Sequence, residues 1–367
     1  MTHSQRRVRL AARMASQELD ALLVSDLVNV RYLSGFTGSN AGLLVFAADT
    51  PAVLATDARY RTQAGRQAPD LELAVVRACG RHLVELAAAA GARRIGFESH
   101  VVTVDGHRTL AETLEGVPTG IPPAELVRAP GLVETLREVK DAGEVALLRL
   151  ACQAADAALT ELVDGGGLRA GRTERAVARQ LEALLLDHGA DGPAFETIVA
   201  TGANSAVPHH RPTDAALADG DLVKIDFGAL VGGYHSDMTR TFVLGGPADW
   251  QRDLYGLVAS AQQAGLEALE VGAPLCEIDA AARGVIGAAG FADNFGHGLG
   301  HGVGLQIHEA PGINSAAEGT LRAGMAVTVE PGVYLPGRGG VRIEDTVAVG
   351  ERGPEVLTRY PKSLTVV

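Results

Sequence analysis

The sequence predicts two domains, an α/β domain over residues 1–131 and an α+β domain over residues 132–367. At 367 residues the chain exceeds what one hydrophobic core usually serves. In the first part, short apolar runs alternate with helical patterns, as in α/β domains. In the second part, amphipathic stretches flank a glycine-punctuated hairpin, which favours helices packed against an antiparallel sheet.

Composition excludes several classes of partner. Hydrophobic residues make up 47% of the chain and charged residues 21%, an ordinary globular balance. The net charge of −12 argues against nucleic acid and anionic membrane surfaces as partners. No run of about 18 apolar residues occurs, so we expect no membrane span.

The cysteines and the first residues point to a cytoplasmic location. Cys79, Cys152 and Cys276 are widely spaced and odd in number, which suggests neither a disulfide framework nor a zinc knuckle. The first 14 residues read as a basic amphipathic helix without the apolar segment of a signal peptide. We therefore expect a protein of the reducing cytoplasm.

In the first domain, strands and helices are predicted to alternate. The apolar runs read as strands at residues 21–24, 41–46, 52–54, 73–76 and 94–97. A helix is predicted at 82–90, a Gly/Ser-rich loop at 32–40, and a Gly/Pro-rich loop at 116–123.

In the second domain, apolar spacing predicts four helices. They are expected at residues 133–162, 173–188, 250–269 and 276–289.

The second domain is predicted to be organised around a hairpin at residues 222–243. Gly232 and Gly233 suit a two-residue turn that requires positive φ. That turn would set Gly228 opposite Asp237, so that Asp226 and Asp237 become diagonal neighbours on one face.

Two carboxylates at roughly 7 Å repel each other unless a cation lies between them. The opposite hairpin face carries Ile225, Phe227, Ala229 and Met238, which should belong to the core. Gly228 is expected to leave a gap between the aspartates that a divalent ion would fill. The alternative is a pair of exposed aspartates on an ordinary hairpin.

Residues 295–308 carry a glycine at every second position from 296 to 304, which predicts a strand. His297 and His301 would then lie about 13 Å apart on one face, too far to bind the same ion. The alternative for either histidine is a hydrogen-bonded core residue. Glycines at this density favour close approach by another backbone or by a ligand.

Glu330 and Glu344 complete a candidate metal-binding set. Both lie among β-branched residues, where a lone buried charge is costly, although Glu344 could instead pair with Arg342 at a solvated edge. Two aspartates, two glutamates and one histidine are the donors used by manganese, cobalt or zinc. Two divalent ions would cancel the four negative charges, and water between them would become a hydroxide nucleophile.

The second domain resembles the dinuclear pita-bread metallopeptidases, the family of methionine aminopeptidase and aminopeptidase P, which have the creatinase/aminopeptidase fold. It is most similar to their proline-specific branch of Xaa-Pro aminopeptidases and prolidases. The resemblance spans residues 136–360, and that of the first 130 residues to the creatinase-like N-terminal domain is weaker. It rests on five motifs in a fixed order: Ile-Asp-Phe-Gly at 225–228, Ser-Asp-Met-Thr-Arg-Thr at 236–241, Gly-His-Gly-Val-Gly at 300–304, Val-Glu-Pro-Gly at 329–332 and Arg-Ile-Glu-Asp at 342–345.

This resemblance implies a role for each matching residue. One metal ion would be bound by Asp226, both ions would be bridged by Asp237 and Glu344, and the second would be completed by His301 and Glu330. It further implies substrate-side histidines and a pair that orients the Asp226 carboxylate, as ligating carboxylates generally require. The substrate-side residues are His209, His297 and His308, and the orienting pair is Tyr334 and Arg342.

The implied function is that of an Xaa-Pro aminopeptidase with two divalent ions, foremost Mn²⁺, with Co²⁺ or Zn²⁺ as alternatives. Many prolidases carry an arginine after a His-Glu-x-Pro motif to hold the dipeptide carboxylate, whereas this chain has Gly312 there. A prolidase restricted to dipeptides is the alternative, with Arg338 as a possible substitute clamp. A non-catalytic peptide-binding module is a more remote alternative. Methionine aminopeptidase is a further alternative, and the presence of the N-terminal domain argues against it. The family commonly forms homodimers.

Overall fold

The computed structural model describes residues 1–116 and 123–367, so most of the loop predicted at 116–123 lies outside the described residues. The chain divides into two compact units, Met1–Arg137 and Glu138–Val367. The three cysteines are free thiols. Across the described ranges, none of the helices has the length and apolar character needed to cross a membrane.

The first unit contains a six-stranded mixed sheet in the order β4-β3-β2-β1-β5-β6. Strand β1 pairs antiparallel with β2 and parallel with β5, and its four residues are all buried. The five predicted strands are present, and β6 was not predicted. The strands are β1 (Ala21–Val24), β2 (Ala41–Phe46), β3 (Val53–Thr56), β4 (Glu72–Val75), β5 (Arg94–Phe97) and β6 (Glu125–Arg128).

Helices cover this sheet, which confirms the predicted α/β class. The loop predicted at 32–40 is wrong at its start, because a helix runs to Ser34 and ends where Gly35 adopts φ 80°. The helices are α1 (His3–Ser16), α2 (Leu27–Ser34), α3 (Arg61–Gln67), α4 (Cys79–Ala89), α5 (Val104–Glu115) and α6 (Glu134–Arg137).

The second unit contains the four predicted long helices, with one correction. The helix predicted at 133–162 is interrupted at residues 138–141. Asp141 accepts hydrogen bonds from the N–H groups of Gly143 and Glu144, and this capping box starts a new helix. The helices are α7 (Ala142–Asp164), α8 (Glu174–Asp187), α9 (Asp249–Glu267) and α10 (Leu275–Ala288).

Antiparallel pairing dominates the sheets of this unit, which confirms the α+β class. One sheet has the order β20-β12-β9-β8, and another has the order β14-β13-β15-β18-β19. The strands are β7 (Gly192–Pro193), β8 (Ile198–Thr201), β9 (Leu222–Phe227), β10 (Ala229–Val231), β11 (Tyr234–His235), β12 (Met238–Val243), β13 (Gly300–Gly302), β14 (Glu309–Ile313), β15 (Ala326–Val329), β16 (Gly332–Leu335), β17 (Gly339–Arg342), β18 (Asp345–Gly350), β19 (Gly353–Val356) and β20 (Thr365–Val366).

The hairpin has the predicted register. Val231 pairs with Tyr234 across the two-glycine turn, and Asp226 pairs with Thr239 farther along. The predicted gap at Gly228 is wrong, however. A Cβ there would lie 1.8 Å from the carbonyl oxygen of Ser236, so this glycine admits a neighbouring backbone and leaves no space for an ion.

The long strand predicted at 295–308 is also wrong, because only Gly300–Gly302 is a strand and the flanking residues bend. The close-approach interpretation of the glycines is correct. A Cβ on Gly300 would lie 2.0 Å from the carbonyl oxygen of Thr328, and one on Gly302 would lie 2.2 Å from that of Ala310. The glycines let β13 lie tightly between its neighbours and thereby fix His301.

Candidate metal centre

A cavity of about 930 Å³ in the second unit brings together nine of the ten residues predicted for the site, all but Tyr334. Its volume is within the range of small-molecule sites. Its lining includes Asp226, Asp237, His301, Glu330, Glu344, His209, His297, His308 and Arg342.

The four carboxylates lie at or directly beside the ends of strands. Asp226 is the penultimate residue of β9, and Asp237 directly precedes β12. Val329 pairs with Asp345 across β15 and β18, so the next residues outward, Glu330 and Glu344, face each other. Two pairs of antiparallel strands thus deliver acidic side chains to one place.

The donor atoms lie close enough to share ions. Ligand atoms of Asp237, His301 and Glu344 all lie within 4.8 Å of one another. The Nε2 atom of His301 is 3.5 Å from Asp237 Oδ2 and 3.4 Å from Glu330 Oε1.

The tautomer of His301 follows from its hydrogen bond. Its Nδ1 atom lies 3.0 Å from the Gly302 carbonyl oxygen, which can only accept, so Nδ1 carries the hydrogen. Burial lowers the pKa of His301 to about 4, so the ring is neutral at neutral pH and Nε2 carries a lone pair. That lone pair faces carboxylate oxygens, an arrangement that a cation between them would stabilise.

The carboxylates are destabilised as anions. Burial, followed by the charges of Glu344 and Asp226, raises the pKa of Asp237 well above its ordinary value. Burial and the charge of Glu330 do the same to the pKa of Glu344. Burial raises the pKa of Glu330 to about 7. Such a cluster requires positive charge to remain ionised.

The two carboxylate oxygens of Asp226 differ in their hydrogen bonding. Arg342 donates a hydrogen bond to its Oδ2 atom, and the Tyr334 hydroxyl accepts from the same guanidinium at 2.8 Å. The Oδ1 atom of Asp226 is buried and has no hydrogen-bond partner among the residues that the structure describes. An unsatisfied carboxylate oxygen directed into a carboxylate and imidazole cluster fits a divalent cation.

The other histidines differ in how firmly they are held. His297 donates from Nδ1 to the Gly298 carbonyl at 2.8 Å, and its Nε2 accepts from the Tyr334 hydroxyl at 2.8 Å. Both of its nitrogens are therefore engaged, and burial lowers its pKa to about 4. His308 packs edge-to-face on His301 with ring centroids 4.4 Å apart. His209 is exposed at the pocket surface.

The sequence analysis missed Lys224, which lies two residues before Asp226 on β9. It is fully buried, and burial together with the charge of Arg342 lowers its pKa to about 6. Strand alternation could have found it, because a lysine at that spacing shares the face of Asp226.

The rim of the pocket was also missed. Arg211 and Glu196 both line it, and Arg211 Nε lies 3.0 Å from Glu196 Oε2. Phe195, Ile198 and Ile307 supply apolar lining. Arg338, considered as a carboxylate clamp, instead stacks on Trp250 and lines a separate cavity. No periodic pattern marks such loop residues in a sequence.

Comparison with known proteins yields two domain matches and full-length relatives. Residues 146–351 match the model of metallopeptidase family M24, and residues 6–139 match the creatinase/prolidase N-terminal domain. The uncharacterized peptidase YqhT of Bacillus subtilis is 38% identical over 353 residues, which cover 95% of this chain and 96% of that one.

Two solved structures are similar over nearly the whole chain. An Xaa-Pro dipeptidase from Bacillus anthracis has a TM-score of 0.94 and 36% identity, with 100% of both chains covered. An X-Pro aminopeptidase from Thermotoga maritima has a TM-score of 0.89 and 33% identity, with 98% of this chain and 99% of that chain covered.

Proposed function

Because the chain belongs to metallopeptidase family M24, we propose that it releases the N-terminal residue from peptides with proline at the second position. It would do so as a dinuclear metal-dependent exopeptidase. Family membership and the matches over both domains confirm the predicted creatinase/aminopeptidase fold. The preference for proline is supported by relatives named Xaa-Pro dipeptidase and X-Pro aminopeptidase.

The observation that carries this proposal is the neutral His301 ring, whose Nε2 lone pair faces the oxygens of Asp237 and Glu330. Two carboxylate oxygens within 3.5 Å of this lone pair need a cation among them. We propose that the ligands are Asp226, Asp237, His301, Glu330 and Glu344. Oxygen-rich sites of this kind suit Mn²⁺, and Co²⁺ or Zn²⁺ would also fit.

When bound, the ions would polarise the scissile carbonyl and would lower the pKa of water, so that hydroxide is available to attack this carbonyl. Glu330 would take a proton from that water and return it to the leaving nitrogen, as a ligating carboxylate beside the water can do. Arg342 and Tyr334 would fix the Asp226 carboxylate. Phe195, Ile198 and Ile307 would receive the apolar side chains of the substrate.

Of the three remaining histidines, two are proposed to act on the substrate directly and one through its hydrogen-bond partners. His209 and His308 line the cavity and could donate to the peptide carbonyl as charge develops on it. His297 already bonds Gly298 and Tyr334, so its contribution would pass through the Tyr334 hydroxyl and Arg342.

Aminopeptidase rather than dipeptidase activity is supported by Gly312. It lies in β14 opposite His301 and lines the cavity without a side chain, so a third substrate residue could continue outward. A dipeptidase is the second candidate, because several relatives carry that name. Arg211 at the rim is the residue that could then hold the carboxylate of the substrate.

The test is a matrix of metals and substrates. Metal-free enzyme reconstituted with Mn²⁺, Co²⁺ or Zn²⁺ should cleave Ala-Pro-Ala with a higher kcat/KM than Ala-Pro, and should leave Ala-Ala-Ala uncleaved. A clear preference for Ala-Pro would assign a prolidase. Binding of these peptides without turnover under every metal would instead assign a peptide-binding module.

The homodimer and the cytoplasmic location remain predictions. Light scattering of the purified protein would determine the first, and cell fractionation would determine the second.

A further inference from the structure

Lys224 carries a buried amine that donates hydrogen bonds to two backbone oxygens. None of its surface is exposed to solvent. Its Nζ atom donates to the carbonyl of Val207 at 2.6 Å and to that of Pro208 at 3.1 Å. Burying an amine costs free energy that an apolar side chain of similar length avoids, so packing alone does not account for a lysine here.

The two carbonyls directly precede His209. Arg342 donates to the same Pro208 oxygen at 3.2 Å, so two side chains hold one peptide. On the far side, His210 bonds Glu174 at 2.8 Å. His209 therefore lies between two anchored points of one short segment.

The His209 ring depends on that segment. It is exposed, and no hydrogen bond to its imidazole is found among the residues described. The position of its Cα atom and the direction of its Cα–Cβ bond are consequently set by the backbone on either side of it, and that backbone is fixed by Lys224, Arg342 and Glu174.

We propose that Lys224 is a positioning residue for His209, fixing the peptides of Val207 and Pro208 so that the imidazole stays directed into the pocket. This inference rests on the proposed function, in which His209 acts on the substrate. It also links the two sides of the site, because the strand that places Asp226 then places His209 as well.

A double-mutant cycle tests the inference on Ala-Pro-Ala. Lys224→Met should lower kcat roughly 10- to 100-fold, because a displacement of about 1 Å can have that effect. KM should stay within about threefold. If Lys224 acts through His209, the double variant with His209→Ala should be no slower than His209→Ala alone, within about twofold. Losses that multiply in the double variant would overturn the proposal.

A matched control distinguishes positioning from general stability. Arg172 also donates to two backbone carbonyls, those of Gly167 and Ala176, and to the Gln180 side chain, but neither carbonyl precedes a residue that lines the pocket. Arg172→Met should lower the melting temperature without coupling to His209. Lys224→Gln keeps an N–H donor and should have a kcat between those of the wild type and Lys224→Met. If Lys224→Met does not fold, Lys224→Gln replaces it in the double-mutant cycle.

Hydrogen exchange separates failure of this inference from failure of the proposed function. The amides of Val207 and Thr213, which donate to Asn204 and Glu174, should exchange faster in Lys224→Met or Lys224→Gln than in the wild type, and not in Arg172→Met. Faster exchange would support the positioning role even if no proline peptide were cleaved. Unchanged exchange in the Lys224 variants would overturn it.

Discussion

Glu344 and Asp345 are neighbours in the chain and both are buried, yet their surroundings are opposite in charge. Asp345 accepts hydrogen bonds from Arg240 at 2.8 Å and from Lys362 at 2.7 Å. Glu344 accepts one from the Thr239 hydroxyl at 2.6 Å and otherwise lies among other acids.

Their pKa values move in opposite directions. Burial alone would raise the pKa of Asp345, but the charges of Arg240 and Lys362 outweigh it and lower the pKa. Burial and the charge of Glu330 both raise the pKa of Glu344. A buried carboxylate with its own cations belongs to the scaffold, whereas buried carboxylates that face one another need a cation from outside the chain.

The largest expected effect is loss of the metal centre. Asp237→Asn or Glu344→Gln should lower kcat/KM at least about a thousandfold, because each removes a proposed ligand of ions that would supply several kcal/mol of transition-state stabilisation. Elemental analysis should find fewer than two metal ions per chain. Two tightly bound ions with full activity in either variant would show that the bridge is assigned wrongly.

The neighbouring residue is the control for that experiment. Asp345→Asn should leave the folded enzyme with its metal ions, because Asp345 serves Arg240 and Lys362. It should lower the free energy of unfolding by about 3–5 kcal/mol, since a buried pair loses one partner. Lost metal in well-folded Asp345→Asn would remove the distinction between the two carboxylates.

A smaller effect should appear in the pH dependence of the metal-free protein. The folded-state pKa of Glu330 is about 7, above its ordinary 4.5, so its contribution to stability is present below about pH 4.5. It is lost as the pH rises through about 7. For Asp345, whose pKa is lowered, the contribution is present above its unfolded pKa and is lost as the pH falls.

Urea unfolding would measure this difference. Between pH 5 and pH 8, Glu330 alone should lower the stability of the metal-free protein by about 1–3 kcal/mol, and Glu330→Gln should remove that share. Asp237 and Glu344, whose pKa values are also raised, should account for the loss that remains in this variant. Adding Mn²⁺ at pH 8 should restore the lost stability. Metal-free protein that is equally stable at both pH values would contradict the account of an uncompensated acidic cluster.

Local sequence signals predicted what depends on local geometry. A two-glycine turn has few conformations, so the pairing of Val231 with Tyr234 followed from it. The donor residues were identified because motif order and residue type resemble a known family. Their meeting in one cavity is an observation of the structure.

Contacts between distant segments could not be predicted. The role of Gly228 depends on the Ser236 carbonyl across the hairpin, and that of Gly300 on Thr328, so period-two glycine alone suggested too long a strand. The break before α7 carried a readable signal in Asp141 and Glu144, but the continuous apolar spacing concealed it.

The smallest predicted effect concerns the ion pair at the rim. The side chain of Arg211 is 83% exposed and that of Glu196 60% exposed, and an exposed pair contributes at most about 1 kcal/mol. Arg211 can therefore leave Glu196 for a peptide carboxylate at little cost, unlike the cations around Asp345.

Arg211→Gln should change the melting temperature little and should lower kcat/KM for Ala-Pro-Ala about 3- to 10-fold, the loss expected for one solvated charge-assisted hydrogen bond. Activity on Ala-Pro-Ala amide, which has no carboxylate, should be unchanged.

Glu196→Gln is the matched control: it frees Arg211 from its partner and should increase the preference for the free acid over the amide. Equal discrimination between acid and amide in the wild type and Arg211→Gln would show that the rim arginine does not contact the substrate. A strong loss confined to Ala-Pro would instead make Arg211 the dipeptide clamp that Gly312 does not provide.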